Sequence, residues 1–93
     1  MEFYHRAVYL SDFIHDENRL DCHGLRRDEA IAAVDKFLDS KFLEGKNFVD
    51  IVHGYGNGIL KQAIDEYLKT SPYVKNILTS PGSIVVELKE RIE

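Results

Sequence analysis

The sequence predicts an α/β domain in the order β-α-β-α-β-β, and three observations predict it. Two stretches carry apolar residues at helical spacing, four shorter runs are strand-like, and glycines or prolines fall at the junctions between them. The long helical crossover between the first two strands makes them parallel, and such connections are almost always right-handed. The chain is 93 residues long, enough for one domain with a single modest core.

Residues 1–18 are read as an amino-terminal accessory segment and residues 19–93 as the domain proper. In the first part Phe3, Tyr4, Val8, Tyr9, Leu10, Phe13 and Ile14 follow neither period cleanly, and Asp16-Glu17-Asn18 forms a turn. Arg19 to Cys22 is a short strand ended by Gly24. From Arg27 to Glu44, Ala30, Ile31, Val34, Phe37, Leu38 and Phe42 recur on one helical face. Asp28 and Glu29 occupy its first turn, where carboxylates favour the positive end of the macrodipole, and Gly45 is placed to close it. Asn47 to His53 is nearly continuous in apolar residues, the pattern of a strand buried on both faces. A second helix carries Leu60, Ala63, Ile64, Tyr67 and Leu68 on one face, with Asn57 as its expected cap and Ser71-Pro72 as its stop. Val74 to Thr79 and Ile84 to Lys89 are the last two strands, joined by the turn Ser80-Pro81-Gly82.

Composition narrows the class of protein. With 44% hydrophobic and 30% charged residues the chain folds, and no apolar run approaches the roughly 20 residues that span a bilayer. The amino terminus lacks the basic-then-apolar pattern of a signal peptide, and a lone cysteine fits a reducing, cytoplasmic setting. The net charge of −4 weighs against tight non-specific nucleic-acid binding, although Arg26, Arg27 and Lys61 lie near the two motifs described next.

Those motifs are Leu20-Asp21-Cys22-His23-Gly24 and His53-Gly54-Tyr55-Gly56-Asn57-Gly58. Each ends a strand and precedes a helix, and parallel strands put both on one sheet edge, where α/β proteins bind ligands. Strand alternation places Asp21 and His23 on one face and turns Leu20 and Cys22 toward the core. A carboxylate beside an imidazole sets its tautomer and suits it to general-base work. The same residues also fit a strand-end aspartate bonded to its own turn with His23 idle. Asp21, His23 and His53 are three conceivable metal ligands, but no tight spacing recommends them.

In the second motif, alternating glycines let backbone approach a ligand, and the following helix adds positive potential, so phosphate is the natural guest. A glycine loop that merely turns sharply is the alternative. The spacing is G-x-G-x-G, not the dinucleotide fingerprint, and no Walker lysine follows. Tyr55 at the loop tip could stack on a base, and Arg26, Arg27 and Lys61 could contact phosphates.

Together the two motifs resemble the Smr (small MutS-related) domain family, whose L-D-x-H-G and H-G-x-G-x-G segments are matched by Leu20–Gly24 and His53–Gly58. The stretch from Ile59 through Val74 and the closing Val85 to Lys89 are also similar, so the likeness covers Arg19 to Lys89. It implies a two-layer α/β sandwich with a mixed sheet of about four strands and two helices, like the carboxyl-terminal domain of bacterial translation initiation factor three. It implies nucleic-acid binding and endonuclease activity, as in MutS-like proteins that nick DNA and proteins that cut messenger RNA on stalled ribosomes. By matching position, Asp21 and His23 would be the catalytic pair, and His53, Gly54, Gly56 and Gly58 the phosphate-binding element. The chain departs from the family pattern near the last strand. A short Ser80-Pro81-Gly82 turn replaces a more glycine-rich one, and Ile84 stands about where a threonine is usual.

The expectation is therefore a phosphodiester-cleaving domain acting on DNA or RNA, alone or within a ribosomal or repair assembly. A module that binds branched DNA, RNA or ribosomes without cutting is the alternative, and a site for a small phosphorylated molecule is more distant. A divalent cation, magnesium or manganese, is left open, with no firm ligand set. So is the oligomeric state.

Overall fold

The computed structural model describes residues 13–92. Most of the accessory segment read over residues 1–18 lies outside them. Asp16–Asn18 form one 3-10 turn that leads directly into β1, Arg19–Asp21. Helix α1 spans Arg27–Leu43, where the Glu29 carboxylate accepts the Arg26 N–H at 2.9 Å. It stops where Gly45 turns left-handed (φ 77°) and donates its N–H back to the Phe42 carbonyl. Strand β2 follows as Phe48–Val52, then α2 as Ile59–Thr70.

The cap of α2 differs from expectation by one residue. Gly58, at φ 87°, occupies the position before the helix, while the Asn57 side chain accepts the Ile59 N–H at 3.1 Å. The left-handed glycine lets the loop enter the helix sharply, and the asparagine amide caps from one step further out. Strands β3, Val74–Ser80, and β4, Ser83–Leu88, then form a hairpin with only Pro81 and Gly82 in its loop. Proline presets the first turn residue, and Gly82 supplies the positive φ (76°) that the second requires.

The sheet order is β1-β2-β4-β3. β1 and β2 are adjacent and parallel, with Asp21 beside Val52, and β4 inserts antiparallel between β2 and β3. Because Val52 pairs with Ser83, the β3–β4 turn arrives at the same sheet edge as the carboxyl ends of β1 and β2. Three junctions therefore meet there.

One hydrophobic cluster joins both helices to the sheet, making two layers. Ala30, Val34 and Leu38 come from α1, Ile64 and Leu68 from α2, and Val49, Ile51, Ile84, Val86 and Leu88 from the strands. Each large aliphatic side chain buried there contributes about 1.5–3 kcal/mol. Tyr67 donates to Asp35 and Tyr73 to Asp39, the latter at 2.6 Å, bracing α1 against α2 and the residue that leads into β3. On β2, Asp50 is 1% exposed and takes a 3.1 Å contact from Arg19 Nε of β1. Arg19 also reaches Asp16 and the Ile14 carbonyl, fastening the turn before β1 to the sheet. The apolar reading of β2 did not reveal this buried charge pair.

Candidate functional site

Asp21 ends β1, and Cys22 continues its pairing by donating its N–H to the Val52 carbonyl at 2.7 Å. Cys22 is fully buried, as strand alternation requires, and burial together with the neighbouring Asp21 charge pushes its thiol up to about 11. The chain then reverses in a four-residue turn. Leu25 N–H closes onto the Cys22 carbonyl at 3.1 Å, with Gly24 at φ 81° in the tight position. That turn holds His23 over Asp21.

Asp21 Oδ1 accepts two hydrogen bonds from His23, one from the backbone N–H at 3.0 Å and one from ring Nδ1 at 2.7 Å. These bonds hold the Asp21 carboxyl below its ordinary range. An ionised carboxylate can only accept, so the ring proton sits on Nδ1 and the lone pair of the neutral imidazole on Nε2. Both side chains are exposed, so Nε2 is open to a ligand. The two side chains that alternation places on one face are in contact, and the bond from the His23 main-chain N–H is also the strand-end turn of the other reading.

The glycine loop touches this pair directly. Gly54 has φ 81°, and a Cβ built on it would lie 3.1 Å from His23 Cβ. Only a glycine lets the second motif's backbone pass this close behind His23. The loop is anchored in turn to the β3–β4 hairpin, whose Gly82 carbonyl accepts the N–H groups of both His53 and Gly54, at 2.9 and 3.0 Å.

His53 is more deeply placed than its motif position indicated, with only 8% of its surface exposed. Its Nδ1 bonds to the Gly54 carbonyl at 2.8 Å, which fixes the proton there. Nε2 is then a buried acceptor, and it has no hydrogen-bond partner among the described residues. Burial, the larger effect, and the charge of Lys61 lower the pKa of this ring, keeping it neutral.

The cationic side chains divide between two sides of the loop. Arg26 and Arg27 line a cavity of about 520 Å³ with His23, His53 and the loop. Lys61 lines a second, of about 280 Å³, between the loop and the Ser80-Pro81-Gly82 turn. Among the described residues none of the three forms an ion pair, so their charge is available to an anion. Tyr55 borders both cavities. Asn57 and Gly56 complete the loop, Asn57 already committed to capping α2.

Leu25, Ile59 and the hairpin turn are site residues that the motifs did not point to. Leu25 and Ile59 fall outside either motif, and the turn joins the site only because β4 lies next to β2. Asp21, His23 and His53 do not converge as a metal group, and among the described residues no three His, Cys, Asp or Glu side chains do. Among the same residues, no helix is long and apolar enough to cross a membrane.

The Smr domain family model matches residues 20–89, from the first motif through the last strand. The chain belongs to the Smr domain family. Endonuclease MutS2 of Clostridium botulinum (strain Eklund 17B / Type B) is 43% identical over 79 residues, covering 78% of this chain and 10% of that protein. Endonuclease MutS2 of Lactobacillus acidophilus is 37% identical over 78 residues, with 77% and 10% covered. This Smr chain thus spans about a tenth of the length of the curated relatives it matches. Among solved structures, the Smr domain of Thermus thermophilus MutS2 superposes with a TM-score of 0.75 at 32% identity, covering 77% of this chain and 98% of that one. YdaL, a stand-alone small MutS-related protein from Escherichia coli, shares the fold at a TM-score of 0.78 and 19% identity, with 83% and 68% covered. Those neighbours bear out the α/β sandwich with a mixed four-stranded sheet.

Proposed function

We propose that this Smr domain binds a nucleic-acid strand at the junction of its two motifs and cleaves a phosphodiester bond there. The observation that carries the reading is the 2.7 Å bond from His23 Nδ1 to Asp21, which leaves Nε2 exposed as a base. Relatives that match most of the chain are named endonucleases, which supports the same reading.

In the proposed step the phosphate rests against the Gly54–Gly58 backbone and the amino terminus of α2, where N–H groups and the macrodipole favour an anion. His23 Nε2 takes the proton of a water or a ribose 2′-hydroxyl as its oxygen attacks phosphorus. The P–O bond to the leaving strand breaks, and the leaving oxygen takes a proton from solvent. Asp21 positions the imidazole and steadies the imidazolium as it forms. Arg26, Arg27 and Lys61 offset charge gathering on the non-bridging oxygens. The net charge of −4 gives the domain little long-range attraction for a polyanion, so a larger partner protein supplies most of the affinity.

The test compares the parent with His23→Ala and Asp21→Asn on labelled single-stranded RNA and on supercoiled DNA, with magnesium, manganese or chelator. Loss of a positioned base costs about 10²–10⁴-fold in rate, so His23→Ala should be nearly inert while keeping its circular dichroism spectrum. Cleavage by both variants at the parent's rate rules the mechanism out. A parent that binds strands but never cuts any of them establishes the binding module instead.

A further inference from the structure

The two cavities share the glycine loop, and Tyr55 at its tip is the aromatic side chain common to both. It is 83% exposed without being loose. One part of its ring lies against Gly82, where a Cβ would come within 3.0 Å of Cζ, and its hydroxyl donates to the Pro81 carbonyl at 3.4 Å. The hairpin turn therefore props the ring upright and leaves the rest of its surface bare.

The larger cavity has an apolar side that phosphate cannot use. Leu25 is 38% exposed and Ile59 59% exposed, and both line it together with Tyr55, Arg26 and Arg27. A site for phosphate alone has no need to hold a leucine, an isoleucine and a tyrosine in water. At about 520 Å³ the space falls within the roughly 300–1,000 Å³ of pockets that bury small organic ligands. Flat, apolar on its faces and joined to a phosphate, a nucleotide base suits this lining, and Arg26 and Arg27 match the charge of its backbone.

We infer that this site takes an unpaired nucleotide, its base stacked on Tyr55 beside Leu25 and Ile59 and its phosphate at the glycine loop. A base inside a duplex has both faces covered by its neighbours and cannot reach the ring without being extruded. The preferred substrate is therefore a single-stranded segment or a splayed nucleotide, not continuous duplex. The inference rests on the nucleic-acid reading above and adds which strands the site accepts.

Fluorescence anisotropy on the full chain tests it, with fluorescein-labelled 12-mers whose integrity is checked on gels. The probes are oligo-dT, oligo-U, a blunt duplex of the same length, and an abasic strand that keeps every phosphate but no bases. Single strands should bind at least tenfold more tightly than duplex. The abasic strand should bind about 5- to 150-fold more weakly than oligo-dT, which is a stacking contact of about 1–3 kcal/mol expressed as affinity. Tyr55→Ala should weaken oligo-dT by a similar factor and leave the abasic strand unchanged. Tyr55→Phe should bind like the parent, and Ile59→Ser should give a smaller loss.

Equal affinity for abasic and base-bearing strands, tight duplex binding, or an unaffected Tyr55→Ala variant overturns the inference while leaving a phosphate site intact. Failure of every probe to bind overturns both it and the nucleic-acid reading. The dT and U arms read which polymer supplies the nucleotide, and either supports the inference when it binds more tightly than the abasic strand.

Discussion

Replacing Gly54 with alanine tests whether the two motifs form one site, because the contact between them is a backbone contact. At φ 81° an alanine is held in the left-handed region, at a cost of about 1–2 kcal/mol. Restriction of the unfolded chain offsets about 0.4–1 kcal/mol of that. The new Cβ also meets His23 Cβ at 3.1 Å, tight enough that one of them must move by a few tenths of an ångström. Overpacking of this kind adds about 1–3 kcal/mol. Gly45 is the matched control, since it has φ 77°, nothing within 4 Å of its hypothetical Cβ, and a position at the far end of α1.

Gly45→Ala should therefore lose about 1 kcal/mol, and Gly54→Ala about 2–4 kcal/mol. In a domain of this size each kilocalorie lowers Tm by about 4–8 °C, so thermal and urea unfolding separate the two easily. The His23 ring resonances should shift in Gly54→Ala and stay put in Gly45→Ala. At a temperature where both are folded, any cleavage activity should fall several-fold more in Gly54→Ala, because misplacing a base costs rate steeply. If the two variants lose equal stability and leave His23 equally undisturbed, the motifs do not touch as described.

Two further expectations concern buried groups. With its thiol pushed up from 9.0 to about 11, Cys22 carries about 100-fold less thiolate near neutral pH than an ordinary cysteine; iodoacetamide followed by mass spectrometry should label it only after unfolding, and rapid native labelling contradicts its inward orientation. Because the His53 pKa is lowered from 6.5 on folding, the unfolded chain binds the proton first. Stability should then hold above about pH 6.5, fall as pH drops from there toward the lowered folded value, and level off below it. Urea midpoints from about pH 8 to about pH 5 measure this slope, and a slope unchanged in His53→Gln assigns it to another group.

How much of this was legible in the sequence depends on how local each feature is. The Asp21–His23 bond follows from strand alternation and a turn of four residues, and both are written in consecutive letters. The helical faces, including Val34, Leu38, Ile64 and Leu68, were equally plain from their spacing. The insertion of β4 between β2 and β3 was not, because a hairpin's own sequence does not say which of its strands pairs with a third. With that insertion unknown, nothing linked Pro81 and Gly82 to the glycine loop, or explained what holds Tyr55 upright. Asp50 was hidden for a similar reason. Its partner Arg19 is 31 residues earlier, and only the parallel register brings them together. Asn57 missed its expected capping position by one residue because a left-handed glycine intervenes, a choice that residue type permits but does not announce.

The site is held mainly by main chain. His53 and Gly54 donate to one carbonyl of the hairpin turn, Gly54 lies against His23, and Asp21 accepts from the His23 amide as well as from its ring. Such an arrangement positions the imidazole without burying it, so a chemical group can stay exposed and still be oriented. It also divides the work among the motif residues. Glycines set the distances between junctions, Asp21 sets the tautomer, and His53 is largely enclosed behind the loop it begins. Beside Asp21 and the tip of the loop itself, what faces solvent is the His23 ring, the arginines at the start of α1, Lys61, and an apolar rim of Leu25, Tyr55 and Ile59. A phosphate accounts for the first part of that list. On the reading proposed above, the rim separates a strand with bases to offer from any other anion, and the abasic probe isolates its contribution.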